Sequence, residues 1–401
     1  MSVQVFDLLI AGGKIVAPDG YLIPLDLGVK DGKIVALGQS LRSEARRAVR
    51  VDGYIILPGV VDLHTHLRSP QSEPGLFTGE TASAVAGGVT TLGDFAYPAG
   101  TRFELEFAPK RDRLEQEALC DFCIHTVVRT LEHLEKVQSW TVKIFFSASG
   151  LGAEADGAVE LLQRAAAEGH QVLAHVEDMQ DYLAILERGL EASSIGRVHI
   201  LHIPHQRYVS TVQAAGDERI TMETCPHYLL WEWVRDREGC AVNPPVIPSD
   251  LWPQVRAGRI STIGTDHCSY MWQEKADMGL PGFPGLETLL RLMVTFGVQA
   301  GRISWADLCR LLSAGPARVL GLYPRKGTVQ VGSDADLVVF DPEYEEVMGV
   351  PAYGRGDFSP YTGLRLKGKV VRTLVRGREV YADGVADLSA AGWGTWQDRN
   401  L

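Results

Sequence analysis

The chain lacks the features that would direct a protein into a membrane, out of the cell or onto a nucleic acid. No apolar run approaches the roughly 20 residues of a membrane span, and Met1–Ile10 has neither the basic region nor the apolar core of a secretory signal. Six cysteines in 401 residues are too few for a disulfide framework. The net charge is −11, and no basic stripe is present. We therefore expect a cytoplasmic protein that binds neither membranes nor nucleic acids.

The central part of the chain alternates short β-branched runs with helix-like segments, a pattern typical of βα units around a parallel sheet. Eight runs predict strands: Ile56–His64, Val89–Phe95, Phe122–Val128, Val142–Ser147, Val172–Val176, Val198–Ile203, Ile220–Thr224 and Ser261–Thr265. Eight strands with intervening helices predict an α/β protein built on a TIM (β/α)8 barrel.

The two ends of the chain have a different pattern. Residues 6–38 read as hairpins with Gly-containing turns, and residues 327–381 show alternating strand patterns of the same kind. Neither end has enough strands for a core of its own. We therefore predict one small β-sandwich made from residues 1–55 and 325–401, the latter with a tail, and a barrel over residues 56–324.

Polar residues gather at the ends of the predicted barrel strands, which is where barrel enzymes place their chemistry. Side chains alternate along a strand, so His64 and His66 should face the same way at the end of the first strand. Four more polar residues lie in or directly after later strands: Lys143, His175, His202 and Asp266.

These six residues suggest a metal centre. Four imidazoles and a carboxylate suit Zn²⁺ or a similar metal, but a protonated lysine would be repelled by a cation. Lys143 is therefore either outside the site or converted by CO₂ to a carbamate, which can bridge two metals. A metal pair of this kind holds a hydroxide at neutral pH.

The motifs around these residues resemble, over nearly the whole chain, the cyclic-amide branch of the amidohydrolase superfamily: hydantoinases and dihydropyrimidinases, allantoinases and dihydroorotases. They are D-L-H-T-H-L-R at 62–68, T-G-E-T-A-S-A-V-A-G-G-V-T-T at 78–91, V-K-I-F-F at 142–146, A-H-V-E-D at 174–178, E-T-C-P-H-Y-L at 223–229, N-P-P-V at 243–246, G-T-D-H-C-S-Y at 264–270 and G-S-D-A-D-L-V-V-F-D-P at 332–342.

The resemblance implies a binuclear hydrolase that opens a cyclic ureide or imide. One metal would be bound by His64, His66 and Asp266, the other by His175 and His202, with carboxylated Lys143 as the bridge. In that family the bridging hydroxide attacks the amide carbonyl, and the aspartate passes the proton to the leaving ring nitrogen. The resemblance also implies a homodimer or homotetramer.

The motifs divide on which ring is opened. Tyr97, a candidate substrate-binding residue, lies in D-F-A-Y-P, a pattern typical of hydantoinases and dihydropyrimidinases, and this reading is favoured. Arg68 stands where dihydroorotases grip a substrate carboxylate, although it could anchor a loop instead. Ala148 replaces the tyrosine of hydantoinases and brings the segment closer to allantoinases. Asn243 could present its amide to the substrate or simply form a turn.

Two further readings belong to other classes. Some relatives with this fold are non-catalytic scaffolds that lost the metal ligands, but this chain retains all six ligand-type residues. Isoaspartyl dipeptidases act on linear amides, and the D-F-A-Y-P and C-P-H-Y-L motifs argue against them. His227 and His267 adjoin the site motifs and are expected to support or pack against the site rather than to bind metal; the remaining histidines are expected to be structural.

Overall fold

The computed structural model describes residues 5–41, 44–67, 75–98, 105–146, 155–189 and 196–399. The strands in these ranges are, in chain order, β1 (Phe6–Ala11), β2 (Lys14–Val16), β3 (Leu22–Pro24), β4 (Asp26–Lys30), β5 (Lys33–Gly38), β6 (Ala45–Arg50), β7 (Ile55–Pro58), β8 (Val60–His66), β9 (Val89–Ala96), β10 (Asp121–Val127), β11 (Thr141–Phe145), β12 (Gln171–His175), β13 (Arg197–Ile200), β14 (Ile220–Thr224), β15 (Thr262–Ile263), β16 (His267–Cys268), β17 (Leu337–Val347), β18 (Arg365–Val375), β19 (Arg378–Ala382) and β20 (Val385–Ala386).

Helices follow most of the central strands. They are α1 (Leu76–Ala86), α2 (Phe107–Glu117), α3 (Leu131–Leu134), α4 (Ala155–Ala167), α5 (Met179–Ala184), α6 (Gln206–Ala215), α7 (Pro226–Leu229), α8 (Trp231–Val234), α9 (Trp252–Arg256), α10 (Trp272–Met278), α11 (Leu289–Met293), α12 (Trp305–Cys309) and α13 (Gly315–Val319). Short π-helical turns extend α5, α11 and α12, and a 3-10 turn lies at Leu388–Ala390. Across the described ranges, none of the helices combines the length and apolarity that crossing a bilayer requires.

The central strands form a parallel barrel. Strands β8 to β14 lie side by side in chain order, and β15 and β16 flank this row at its two edges. Since β15 pairs with β14 and β16 pairs with β8, these two short pieces of the eighth strand close the ring. The predicted TIM barrel is confirmed. The predicted eighth strand, Ser261–Thr265, is shorter than expected, and its second piece begins after Asp266.

The predicted first strand, Ile56–His64, is in fact two strands separated at Gly59. The first, β7, pairs with β17 and β2 outside the barrel, and the second, β8, pairs with β9 inside it. A Cβ at Gly59 would lie 2.1 Å from Thr90 Oγ1, so only glycine allows the close crossing between the two sheets.

The chain ends form the predicted β-sandwich. One sheet, in the order β5-β4-β1-β6, comes from the N-terminal segment; the other, β20-β19-β18-β17-β7-β2-β3, combines strands from both ends of the chain. Apolar side chains of the two sheets, among them Leu8, Val29, Leu337 and Leu374, are buried in one cluster between them. The end of the chain then returns to the barrel, where Thr395 and Gln397 pair with Phe122. The sandwich is thus closed only when the barrel has brought the two ends together.

Candidate metal centre

Three side chains meet where the barrel closes. The Nε2 atoms of His64 and His66 lie 3.2 and 3.3 Å from Oδ1 of Asp266. Ligand atoms of the three residues all lie within 4.8 Å of one another, so the group can hold one metal ion. β8 supplies both histidines, and the break between β15 and β16 supplies the aspartate.

Irregular backbone aims these side chains. Between the pairs Asp62–Leu92 and Thr65–Asp94, β8 has one residue more than β9, which is a β-bulge at Leu63 and His64. Asp266 adopts a left-handed backbone with φ 52°, a conformation that costs on the order of 1–3 kcal/mol in a residue with a side chain. Such strain is typically found where a side chain is held for function.

Two more histidines form an adjoining pair. His175 Nδ1 lies 2.7 Å from His202 Nε2, and the ring centroids of His202 and His64 are 5.2 Å apart. The other nitrogen of His175, Nε2, lies 2.9 Å from Glu177 Oε1. His202, like Asp266, has a left-handed backbone, with φ 40°. All four predicted histidines therefore lie in one cluster at the carboxyl ends of their strands.

Lys143 reaches the same cluster from β11. Its side chain is buried, with 1% of the residue exposed, and Nζ lies 3.4 Å from His64 Nε2. The amine also lies 4.0 Å from the centroid of the Phe95 ring and 5.0 Å from that of Phe145. The structure therefore places the lysine amine beside the imidazoles.

Carboxylates behind the cluster orient it. Glu223 Oε1 lies 2.7 Å from His64 Nδ1, with both side chains fully buried. Asp62 accepts hydrogen bonds from the backbone N–H and the hydroxyl of Thr265, at 3.2 and 2.5 Å, and so holds the turn that carries Asp266. A carboxylate hydrogen-bonded to a ring N–H fixes the tautomer and orientation of a metal-binding histidine.

The donor set fits a cation. A cation bound here would keep Glu223 ionised, so that Nδ1 of His64 carries the ring proton and Nε2 directs its lone pair toward the Asp266 oxygen 3.2 Å away. Two acceptors that face each other repel unless a cation lies between them. Burial, and next the charge of Lys143, hold the pKa of His64 well below its usual value, so the ring stays unprotonated.

The buried carboxylates also favour a cation. Burial raises the pKa of Glu223 well above its usual value, and Asp62 and Asp266 raise it further. Burial likewise raises the pKa of Asp62 to about 6. A bound divalent ion would offset this desolvation and mutual repulsion.

The structure describes two of the three predicted substrate-binding residues. Tyr97 follows β9 and is nearly buried in the apolar cluster that includes Phe95 and Phe145. Asn243 Nδ2 donates a 2.8 Å hydrogen bond to Glu177 Oε1, which places its amide beside the His175 contact. Arg68 lies outside the described residues, as does Ala148.

Other histidines are held by ordinary hydrogen bonds. His267 Nε2 lies 3.0 Å from Glu80 Oε2, so it ties the end of the barrel to α1. Deeper in the barrel, His125 and His199 contact the hydroxyls of Thr141 and Thr221 at 2.6 and 2.7 Å. Burial lowers the pKa of both to about 3, which agrees with a structural role.

The sequence reasoning missed Glu223, Glu177 and Asp62 as members of the site. Each has a local signal that could have identified it. Asp62 and Glu177 lie two residues from a strand-end histidine, and Glu223 is the last residue but one of the strand β14, where a buried acidic side chain is costly without a partner.

A barrel with this cluster at its strand ends, beside a sandwich made from both chain ends, is the architecture of an amidohydrolase. The chain belongs to the amidohydrolase family, whose model matches residues 55–380. This family generally uses a divalent metal centre, and the group of His64, His66 and Asp266 is suited to one.

Similar proteins cover almost the whole chain. A D-hydantoinase of Ralstonia pickettii is 31% identical, with 94% of this chain and 96% of the relative covered. An allantoinase of Rubrobacter xylanophilus is 32% identical, with 96% and 97% covered. Among solved structures, the L-hydantoinase (dihydropyrimidinase) from Arthrobacter aurescens has a TM-score of 0.84 at 26% identity, covering 98% of this chain and all of the other.

Proposed function

We infer that the protein is a metal-dependent hydrolase that opens cyclic amide rings, with hydantoinase-type substrates favoured. The observation that carries this inference is the meeting of four histidines, a lysine and an aspartate in one buried cluster, with His64 and His66 both facing Asp266 Oδ1. The similarity to hydantoinases over nearly the full length supports the choice of substrate class.

The residues divide into two metal-binding groups. His64, His66 and Asp266 would hold one ion, and His175 with His202 would hold the other. Carboxylated Lys143 would bridge the two ions, since its Nζ already lies 3.4 Å from His64 Nε2. Zinc suits this mixture of imidazole and carboxylate ligands. Ions bound here would lower the pKa of a water molecule and polarise the substrate carbonyl.

The side chains supply the proton transfer and the geometry. Asp266 accepts the proton that the attacking water loses and delivers it to the ring nitrogen as the C–N bond breaks, which leaves an open-chain acid. The contacts of Asp62 with Thr265 keep that carboxylate in place. Glu223 and Glu177 hold the rings of His64 and His175.

Allantoin is the second candidate substrate, because an allantoinase is among the most similar relatives, at 32% identity. Dihydroorotate is the third, and it depends on Arg68. If Arg68 grips a carboxylate, Arg68→Met should raise KM for dihydroorotate and barely affect dihydrouracil. Equal losses for both rings would remove the dihydroorotase reading.

A ring-opening screen tests the proposal. Zinc-loaded enzyme would be offered hydantoins, dihydrouracil, allantoin, dihydroorotate and simple cyclic imides, with an isoaspartyl dipeptide as a linear control. We expect the highest kcat/KM for hydantoins or dihydrouracil and loss of activity with a chelator. Preference for the dipeptide, or no activity on any ring, would contradict the proposal, and the latter would favour a non-catalytic scaffold. Assembly as a homodimer or homotetramer and a cytoplasmic location stay predictions.

A further inference from the structure

His227 is buried without the hydrogen bonds that a buried imidazole normally makes. Only 1% of the residue is exposed, and neither ring nitrogen has a hydrogen-bond partner among the described residues. The buried histidines around it differ, because each of His64, His175, His202 and His267 has at least one ring nitrogen within 3.0 Å of a polar atom. A buried polar group without a partner is unfavourable, and such groups often await a ligand or a water molecule.

His227 lies at the carboxyl end of the barrel, in the connection from β14 to β15 and beside the segment that follows β16. It lies in α7, four residues after Glu223, and its ring is 4.2 Å from that of Tyr228 and 5.3 Å from that of Phe283. The Tyr228 hydroxyl donates a 2.7 Å hydrogen bond to the carbonyl of Pro244, the residue after Asn243. Phe283 accepts a hydrogen bond from Cys268, two residues beyond Asp266.

His227 is also close to the metal-site cluster without being part of it. Its neighbour Tyr228 contacts Pro244, and Asn243, which precedes Pro244, donates a hydrogen bond to Glu177, whose carboxylate lies 2.9 Å from His175 Nε2. No hydrogen bond joins His227 to the predicted metal ligands in the described structure. The ring amide under attack must lie against those ligands, so His227 would meet a part of the substrate farther out.

The chemistry of this imidazole limits what it can recognise. Burial lowers the pKa of His227 to about 3, so at neutral pH the ring is uncharged, with one N–H donor and one acceptor nitrogen. An uncharged donor–acceptor group suits a carbonyl or N–H of an amide or ureido group. It offers a carboxylate substituent no compensating charge.

We propose that His227 is a specificity-determining substrate contact, which hydrogen-bonds an uncharged amide or ureido substituent on the ring and so raises kcat/KM for substrates that carry one, such as allantoin. This proposal rests on the proposed cyclic-amide hydrolase function. It adds a contact for a polar, uncharged substituent on the ring.

The test compares two substrates in two variants. His227→Phe keeps a ring of similar size and removes both nitrogens, whereas His227→Gln restores a donor and an acceptor. We expect His227→Phe to lower kcat/KM for allantoin by about tenfold or more, because the ureido substituent loses its hydrogen bond to the imidazole. The kcat/KM for hydantoin, which lacks that substituent, should change by less than about threefold. His227→Gln should recover part of the loss, and both variants should keep the wild-type metal content.

His170→Phe is the matched control, because His170 precedes β12 at the opposite end of the barrel. A purely structural role for His227 would lower kcat/KM for both substrates together, so an unchanged allantoin-to-hydantoin ratio in His227→Phe overturns the proposal. If His227→Phe does not fold, an unchanged ratio in His227→Gln, with lower activity on both substrates, overturns it equally. If the wild-type enzyme opens hydantoin but His227→Phe leaves the allantoin-to-hydantoin ratio unchanged, only this proposal is refuted. If the wild-type enzyme opens no ring, the proposed function is refuted and this proposal with it.

Discussion

Replacing Glu223 with glutamine should weaken metal binding while leaving the fold intact. The substitution keeps the size of the side chain and an oxygen that can accept from His64 Nδ1, now 2.7 Å away. It removes only the negative charge. Because both side chains are fully buried, solvent does not screen that charge.

The expected magnitude follows from the kind of hydrogen bond that is lost. A hydrogen bond to a charged group contributes about 1.5–3 kcal/mol, against about 0.5–1.5 kcal/mol for a neutral one. The difference, about 1–1.5 kcal/mol, corresponds to about tenfold in an equilibrium constant. Removing the carboxylate partner of a metal-binding histidine typically costs about 10–100-fold in metal affinity. We expect zinc affinity to fall within that range.

The metal-free protein should respond in the opposite direction. Glu223 lies near Asp62 and Asp266, and burial and these two carboxylates raise its pKa. Replacing it with a neutral group relieves that cost, so the metal-free Tm of Glu223→Gln should equal or exceed that of the wild type. The increase in Tm on adding zinc should therefore shrink.

Zinc affinity is measured by competition with a chromophoric chelator, and Tm by calorimetry with and without zinc. Glu177→Gln gives an internal comparison, and a smaller loss is expected because the Glu177 side chain is 26% exposed. Glu232→Gln, at an exposed position on α8, serves as the control. Unchanged zinc affinity in Glu223→Gln, or a lower Tm of its metal-free form, would refute the reasoning.

Three further substitutions test other parts of the site and its surroundings. Lys143→Ala should lose bound metal and activity, with partial rescue by short carboxylic acids; a crystal structure with an unmodified lysine amine beside two fully occupied metals would contradict the carbamate. Asp266→Asn should keep the fold and much of the metal but lose about 10²–10⁴-fold in kcat, so near-wild-type turnover would exclude Asp266 as the proton carrier. Burial, and next Asp178, raise the pKa of Asp181 to about 6, so its carboxyl favours the folded state only at low pH and this contribution is lost as the pH rises through about 6. Asp181→Asn should therefore stabilise the protein by about 1 kcal/mol at pH 8 and by less at pH 5, and equal changes in Tm at the two pH values would contradict this.

Local pattern was sufficient to predict several elements of this fold. Strand β14 has the bounds that the sequence predicts, Ile220–Thr224, and helix α6 (Gln206–Ala215) precedes it. Their signals are local, since the His205 side chain caps the helix N-terminus and Gly216, with φ 66°, ends it. The barrel followed from the alternation of such elements, and the candidate site followed from polar residues at strand ends, because parallel strands bring those ends to one face.

Contacts between distant parts of the chain decided the rest. The break at Gly59 depends on the approach of Thr90. The carboxylate behind His64 comes from Glu223, 159 residues away, and the one that holds Thr265 comes from Asp62, 203 residues away. No local periodicity encodes such pairs, because they form only when the barrel closes and brings its eighth strand beside its first. The sequence by itself determined which side chains stand at the strand ends. Barrel closure decided which of them form hydrogen bonds, which charged groups lie side by side, and which side chain, that of His227, is buried without a hydrogen-bond partner in the described part of the chain.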